Sequence, residues 1–289
     1  MIFQDMDFRS ILLSAIAMLT AVGAAAPSQA QSDGRNGARV DPFSALVGKR
    51  SNRERRRAPE IRVERYVIAT DDRAFLFENR GQEARLMFLC RDGDPRIECM
   101  IDGEQNAAEI HLLRLTTGPR GDRIFKDKAG DTYLRIASYG GATVYWPGDG
   151  VVGQAASRSF GDETSLMLPF ADIAAARRRA QAATALVSAR VGAPIIFDLG
   201  DAPTTSASSG AAVVADAVAR AAQGLARVAD DEAGVDAVAR RIDRVRLISA
   251  EEPEMSLDGK TLEIRYNAAA DLAGRPSSAD VARFLENTL

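Results

Sequence analysis

The chain has 289 residues, 46% of them hydrophobic, which is enough for one or two cored domains; only 6% are aromatic, and the formal net charge is −3. A single histidine and two cysteines leave too few nitrogen and sulfur ligands for a zinc site. The charge is unevenly spread: residues 31–57 hold eight basic and three acidic side chains, so the body that follows is acidic, and nucleic acid is not an expected partner.

In chain order, Arg9 precedes an apolar run from Ile11 to Ala26, and Ser28-Gln29-Ala30 fits a small-x-small cleavage site. This predicts a secretory signal peptide over residues 1–30, cut after Ala30, and hence a periplasmic protein. An uncleaved anchor is the alternative, although sixteen residues are short against the roughly twenty of a bilayer span. Asp5 and Asp7 make a poor basic leader, and a start at Met6 would read more normally. Residues 31–60 read as a basic flexible linker. Its run Lys49 to Arg57 offers weak electrostatic contact with an anionic membrane or another acidic envelope polymer, or is simply a solvated segment.

Residues 61–147 read as an all-β domain. Ile61–Ile68, Phe75–Phe77, Arg85–Cys90, Glu98–Ile101 and Glu109–Leu115 are short apolar runs separated by turn residues. From Leu112 to Pro147 the alternation is densest and the turns are sharpest, at Gly118–Asp122, Asp127–Asp131 and Tyr139-Gly140-Gly141. About eight short antiparallel strands result, as a meander or a small barrel that its own side chains can fill. Cys90 and Cys99 flank eight residues that include Asp92-Gly93-Asp94-Pro95. Behind an export signal this spacing predicts a disulfide stapling a hairpin, in which Phe88–Cys90 pairs with Ile97–Cys99.

The runs Pro119-Arg120-Gly121-Asp122-Arg123-Ile124-Phe125, then Gly130–Ile136, then Gly140–Pro147 resemble a family of exported proteobacterial proteins, the domain of unknown function numbered 4908. The resemblance is clearest from Phe75 to Pro147 and looser beyond. It implies no activity, and no catalytic residue follows from it.

Residues 148–170 read as an irregular linker, and residues 171–289 as a helix-rich α+β domain. Asp172–Arg190 carries Ala176, Ala180, Ala183 and Val187 on one side, as an amphipathic helix does. Pro194–Leu199 reads as a buried strand and Pro203–Gly210 as a loop with a Ser cap. Ala211–Val228 and Asp236–Asp243 read as helices. A strand from Leu247 and a hairpin at Leu257-Asp258-Gly259-Lys260 follow, then a final helix capped at Pro276-Ser277-Ser278.

No catalytic, cofactor or metal site is expected. A Ser-His-Asp triad would have to use His111, which sits on a predicted strand, and no Gly-x-Ser-x-Gly occurs. The aromatic and arginine group Arg120, Tyr133, Arg135, Tyr139, Tyr145 and Trp146 is the candidate recognition surface, unless its alternate members fill the barrel. A non-enzymatic envelope protein that binds a protein or polymer is the expected function. A wall-acting hydrolase using two carboxylates, or an inhibitor of wall-degrading enzymes, are the alternatives.

Overall fold

The computed structural model describes residues 62–91, 99, 108–147, 150, 152–159, 165–200 and 209–289. The predicted signal peptide, the linker with its basic run Lys49–Arg57, and the loop at 201–208 lie outside the described residues, as do the flanks of Cys99.

Eight strands form a closed antiparallel barrel: β1 Val63–Ile68, β2 Ala74–Asn79, β3 Glu83–Phe88, β4 Ile110–Thr117, β5 Arg123–Lys126, β6 Thr132–Ile136, β7 Ala142–Tyr145 and β8 Gly153–Ser159. Each pairs with the next, and β8 closes on β1 with Tyr66 opposite Arg158. Phe75, Phe77, Leu86, Leu113, Phe125, Leu134 and Val144 fill the interior, so it is a packed core. Phe77 meets Phe125 edge-on at 4.8 Å between ring centroids, an arrangement that the ring quadrupoles favour.

Two expectations are corrected here. The segment read as irregular, 148–170, contains β8, so the β domain runs to Ser159. Gly-Gln-Ala-Ala-Ser-Arg-Ser has no apolar alternation because β8 is held by ladders to β7 and β1, and side-chain burial contributes little. A Cβ on Gly153 would lie 2.6 Å from Thr143 Cγ2, so glycine is the residue that lets the strand begin there. The disulfide Cys90–Cys99 is present, with Cα atoms 5.6 Å apart. It does not staple a hairpin: Phe88 pairs with Phe75 of β2, β3's other neighbour is β4, and Cys99 is in helical backbone. The rest of the expected strand Glu98–Ile101 is outside the described residues.

The second layer comprises α1 Ile173–Val191, β9 Ile196–Asp198, α2 Ser209–Val228, α3 Glu232–Arg241, β10 Arg244–Ser249, β11 Glu254–Asp258, β12 Thr261–Tyr266 and α4 Ser278–Thr288. The sheet order is β11-β12-β10-β9; β10 runs parallel to both neighbours, and β11 antiparallel to β12. Asp172 caps α1 by accepting from the Ala175 N–H at 2.6 Å, and Gly192 ends it in the left-handed region. Ser277 and Asp280 form a capping box on α4. α2 is almost wholly buried between its neighbours. Its small residues allow close approach: a Cβ on Gly224 would sit 2.5 Å from Val281 of α4. β9 is an edge strand with Ile196 exposed.

Candidate ligand-binding cleft

A cleft of about 820 Å³ lies between the barrel wall and the second layer. Along β4 the side chains alternate, so His111 and Leu113 point into the barrel while Leu112 and Arg114 stand outside on the cleft wall. Arg85 of β3 stands beside them, and the β5–β6 turn adds Asp127 and Lys128. The far wall is the start of β11 (Pro253, Glu254, Met255), the short 3-10 turn Asp271–Gly274, and Phe284 of α4.

Most charges on these walls already have work. Arg85 pairs with Asp271 at 3.2 Å and also donates to the Leu166 carbonyl. Asp280 caps its own helix, Glu254 pairs with Arg265 at 2.8 Å, and Arg283 with Asp131 at 3.0 Å. Burial and the neighbouring negative Asp131 raise the Asp127 carboxyl above its ordinary value. Among the described residues no group of three His, Cys, Asp or Glu side chains is placed to hold a metal ion.

Behind the cleft lies a buried charge cluster. Glu109, just before β4, accepts from the Ser278 N–H at 3.2 Å and from the Ser278 hydroxyl. Arg275 reaches Glu109 at 3.5 Å, donates to the Ile110 carbonyl at 3.0 Å, and meets Asp216 of α2 at 2.5 Å. Arg220, one helical turn from Asp216, pairs with it at 3.2 Å and approaches Glu109 at 3.7 Å. Burial alone would raise the Glu109 carboxyl; the positive charges at His111 when protonated, Arg220 and Arg275 outweigh it and hold the group well below the usual carboxylate range. Burial pushes His111 down to about 4, against the attraction of Glu109, so the imidazole is neutral. Glu109 and His111 are only two residues apart on what was expected to be an ordinary strand. The readable signal for the rest was Asp216 and Arg220, two charges four residues apart in the Ala- and Val-rich run of α2.

The expected recognition group is divided by the fold. Tyr133 and Trp146 are buried in the barrel core, where Trp146 meets Phe88 at 4.2 Å. Tyr133 is the extra residue of a β-bulge: Phe125 faces Leu134 and Lys126 faces Thr132, which turns Tyr133 and Leu134 both inward. Tyr133 still touches the cleft at its inner end, beside His111. Arg135 is tied to Asp122 at 2.9 Å, Arg120 is exposed in a turn, Tyr139 is exposed, and Tyr145 is half-buried against β8. Asp122 of the Arg-Gly-Asp tripeptide also accepts from the Ser138 N–H, so its carboxylate serves the turn. These bonds from Arg135 and Ser138 lower its pKa.

No curated protein and no solved structure matches the chain. A family model described as "Domain of unknown function (DUF4908)" matches residues 42–285, most of the chain and with it both the barrel and the second layer. The chain belongs to that family.

Proposed function

We propose that this is a non-catalytic binding module of the cell envelope, exported by a signal peptide cut after Ala30, and that the cleft is where it binds. The observation that carries the reading is the cleft itself: about 820 Å³, built by both layers, with apolar Leu112, Met255 and Phe284 among polar groups. The engagement of Asp271, Asp280 and Glu254 in structural pairs supports a binding role over an acid–base one. The disulfide supports an oxidising compartment. The basic run Lys49–Arg57 would add weak attraction to anionic lipid or to an acidic polymer.

Co-isolation from envelope extract tests this. The native protein should bring down a stoichiometric partner or polymer, and Leu112→Arg, a change on the half-exposed cleft wall, should lose it while keeping the native circular dichroism. Equal recovery by both proteins would remove the cleft from the argument. One observation favours a second reading, a wall-acting hydrolase: Asp127 is a cleft carboxylate whose protonated form burial favours, as a general acid requires. Release of soluble fragments from purified wall, abolished in Asp127→Asn, would establish that reading in place of the first.

A further inference from the structure

We infer that the cleft takes an extended basic peptide, which adds as a fifth strand to the open edge of β11. This rests on the cleft being the binding site and names the chemistry of what enters it.

The direction of every backbone group along β11 follows from its neighbours. The Lys260 carbonyl accepts from the Asp243 N–H at 3.0 Å, and the Tyr266 carbonyl accepts from the Ala250 N–H at 2.8 Å. Those donors belong to β10 and its flanks, so the even-numbered residues of β12 turn their main-chain groups toward β10. Alternation then turns Thr261, Glu263 and Arg265 toward β11, where they face Asp258, Ser256 and Glu254. The N–H and C=O groups of Met255 and Leu257 are left pointing away from β12, and no other described strand pairs with β11. Met255, with Pro253 and Glu254, also lines the cleft. Such a row of main-chain donors and acceptors is complementary to another extended backbone.

The opposite edge of the sheet is closed by side chains. On β9, Thr184 of α1 accepts from the Phe197 N–H at 3.0 Å, and Ser188 accepts from the Ile195 N–H at 2.9 Å. β11 has no such cover among the described residues.

Charge supplies the partner's sign. Glu251, Glu252, Glu254 and Asp258 are all exposed along or just before the edge strand, and among the described residues only Glu254 has a cationic partner there. Across the cleft Arg85 is paired with Asp271 and Arg283 with Asp131, and Arg114 stands opposite Glu83 on the neighbouring strand, so Lys128 of the β5–β6 turn is the cation the peptide would keep clear of. A strand whose alternate side chains are lysine or arginine would meet the acidic edge, and its apolar side chains would meet Leu112, Met255 and Phe284.

The test uses the full chain and a short blocked peptide in which lysine and valine alternate, with titration calorimetry as the readout. Saturable binding should weaken by at least roughly tenfold when alternate peptide amides are N-methylated, because the strand ladder is then lost. Met255→Pro should have the same effect, since the N–H it removes faces away from β12 and the β11–β12 hairpin keeps its bonds. Unchanged circular dichroism and melting temperature check that the variant folds. The double change Glu251→Lys with Glu252→Lys, which touches only exposed side chains, should weaken the lysine peptide and improve a glutamate–valine one. Binding that survives N-methylation and Met255→Pro but is lost in Leu112→Arg overturns strand addition and leaves the cleft as the site. Concentration-dependent self-association abolished by Met255→Pro assigns the edge to a second copy of the chain and overturns the peptide. No binding of either peptide overturns the inference as well, whatever the co-isolation result.

Discussion

Glu109 shows how one carboxylate can join two layers. It is buried, so its charge is tolerated only because Arg275, Arg220 and the two donors of Ser278 surround it. His111, whose Nδ1 is 3.9 Å from Glu109, shares the site and meets the Tyr133 ring at 4.7 Å, tilted by 40°. The imidazole's pKa falls from 6.5 to about 4 in the folded protein. Between those values the unfolded chain binds a proton that the folded chain refuses, so stability rises with pH through the window and is lost as pH falls. Urea unfolding at pH 7 and pH 5 should therefore differ by about 2 kcal/mol from this residue alone. His111→Phe keeps a ring in the barrel and should remove that part of the difference. An equal pH 7 to pH 5 loss in both proteins would show that His111 is not its source.

At the scale of elements, the covalent bond from Cys90 anchors the end of β3 to a connecting segment, where a hairpin ladder had been expected. Cys99 itself lies in helical backbone, so it is the covalent bond and not a strand ladder that holds it against Cys90. Cys90→Ser should lower unfolding free energy by roughly 2–3 kcal/mol, and dithiothreitol should do the same to the native protein. Two free thiols in protein isolated with thiols trapped at lysis would refute the bond and remove the support it gives to export. The pairing was readable because two cysteines allow one intramolecular partner choice; its setting was not, because the turn residues between them also suit a strand reversal. The same divide runs through the rest of the fold. The turn at Gly259 was plain, since an apolar alternation resumes directly after it and the glycine takes φ 57°. β8 was hidden because its partners, β7 and β1, supply what its own side chains lack. The inward Tyr133 was hidden by a bulge that breaks the period of two. The cleft was hidden more completely, since its walls bring Leu112 together with Met255 and Phe284, far apart along the chain.

At the scale of the whole molecule, the described contacts between the barrel and the second layer include, besides the ion pairs Arg85–Asp271 and Arg283–Asp131 at the cleft, an apolar cluster and a buried polar joint. Leu76 and Ile110 on the barrel's outer face pack with Leu166 and Leu272 in a small apolar cluster. Beside it Arg275 bonds to barrel and helix at once, through Ile110 and Glu109 on one side and Asp216 on the other. The apolar cluster is small beside the two main cores, so the polar joint should decide whether the layers unfold together. Arg275→Met keeps the length and removes the charge, leaving Glu109 and Asp216 with Arg220 as their shared cation. Breaking a buried ion network from one side costs about 3–5 kcal/mol. Trp146 is the only tryptophan and sits in the barrel core, so its fluorescence reports the barrel, while helical ellipticity reports the second layer. In the native protein the two signals should follow one urea transition. In Arg275→Met both midpoints should fall, and the two curves should separate as each layer unfolds on its own. Coincident curves with a shift below about 1 kcal/mol would mean that the apolar cluster and the remaining cross-layer pairs couple the layers and that Arg275 only fills space.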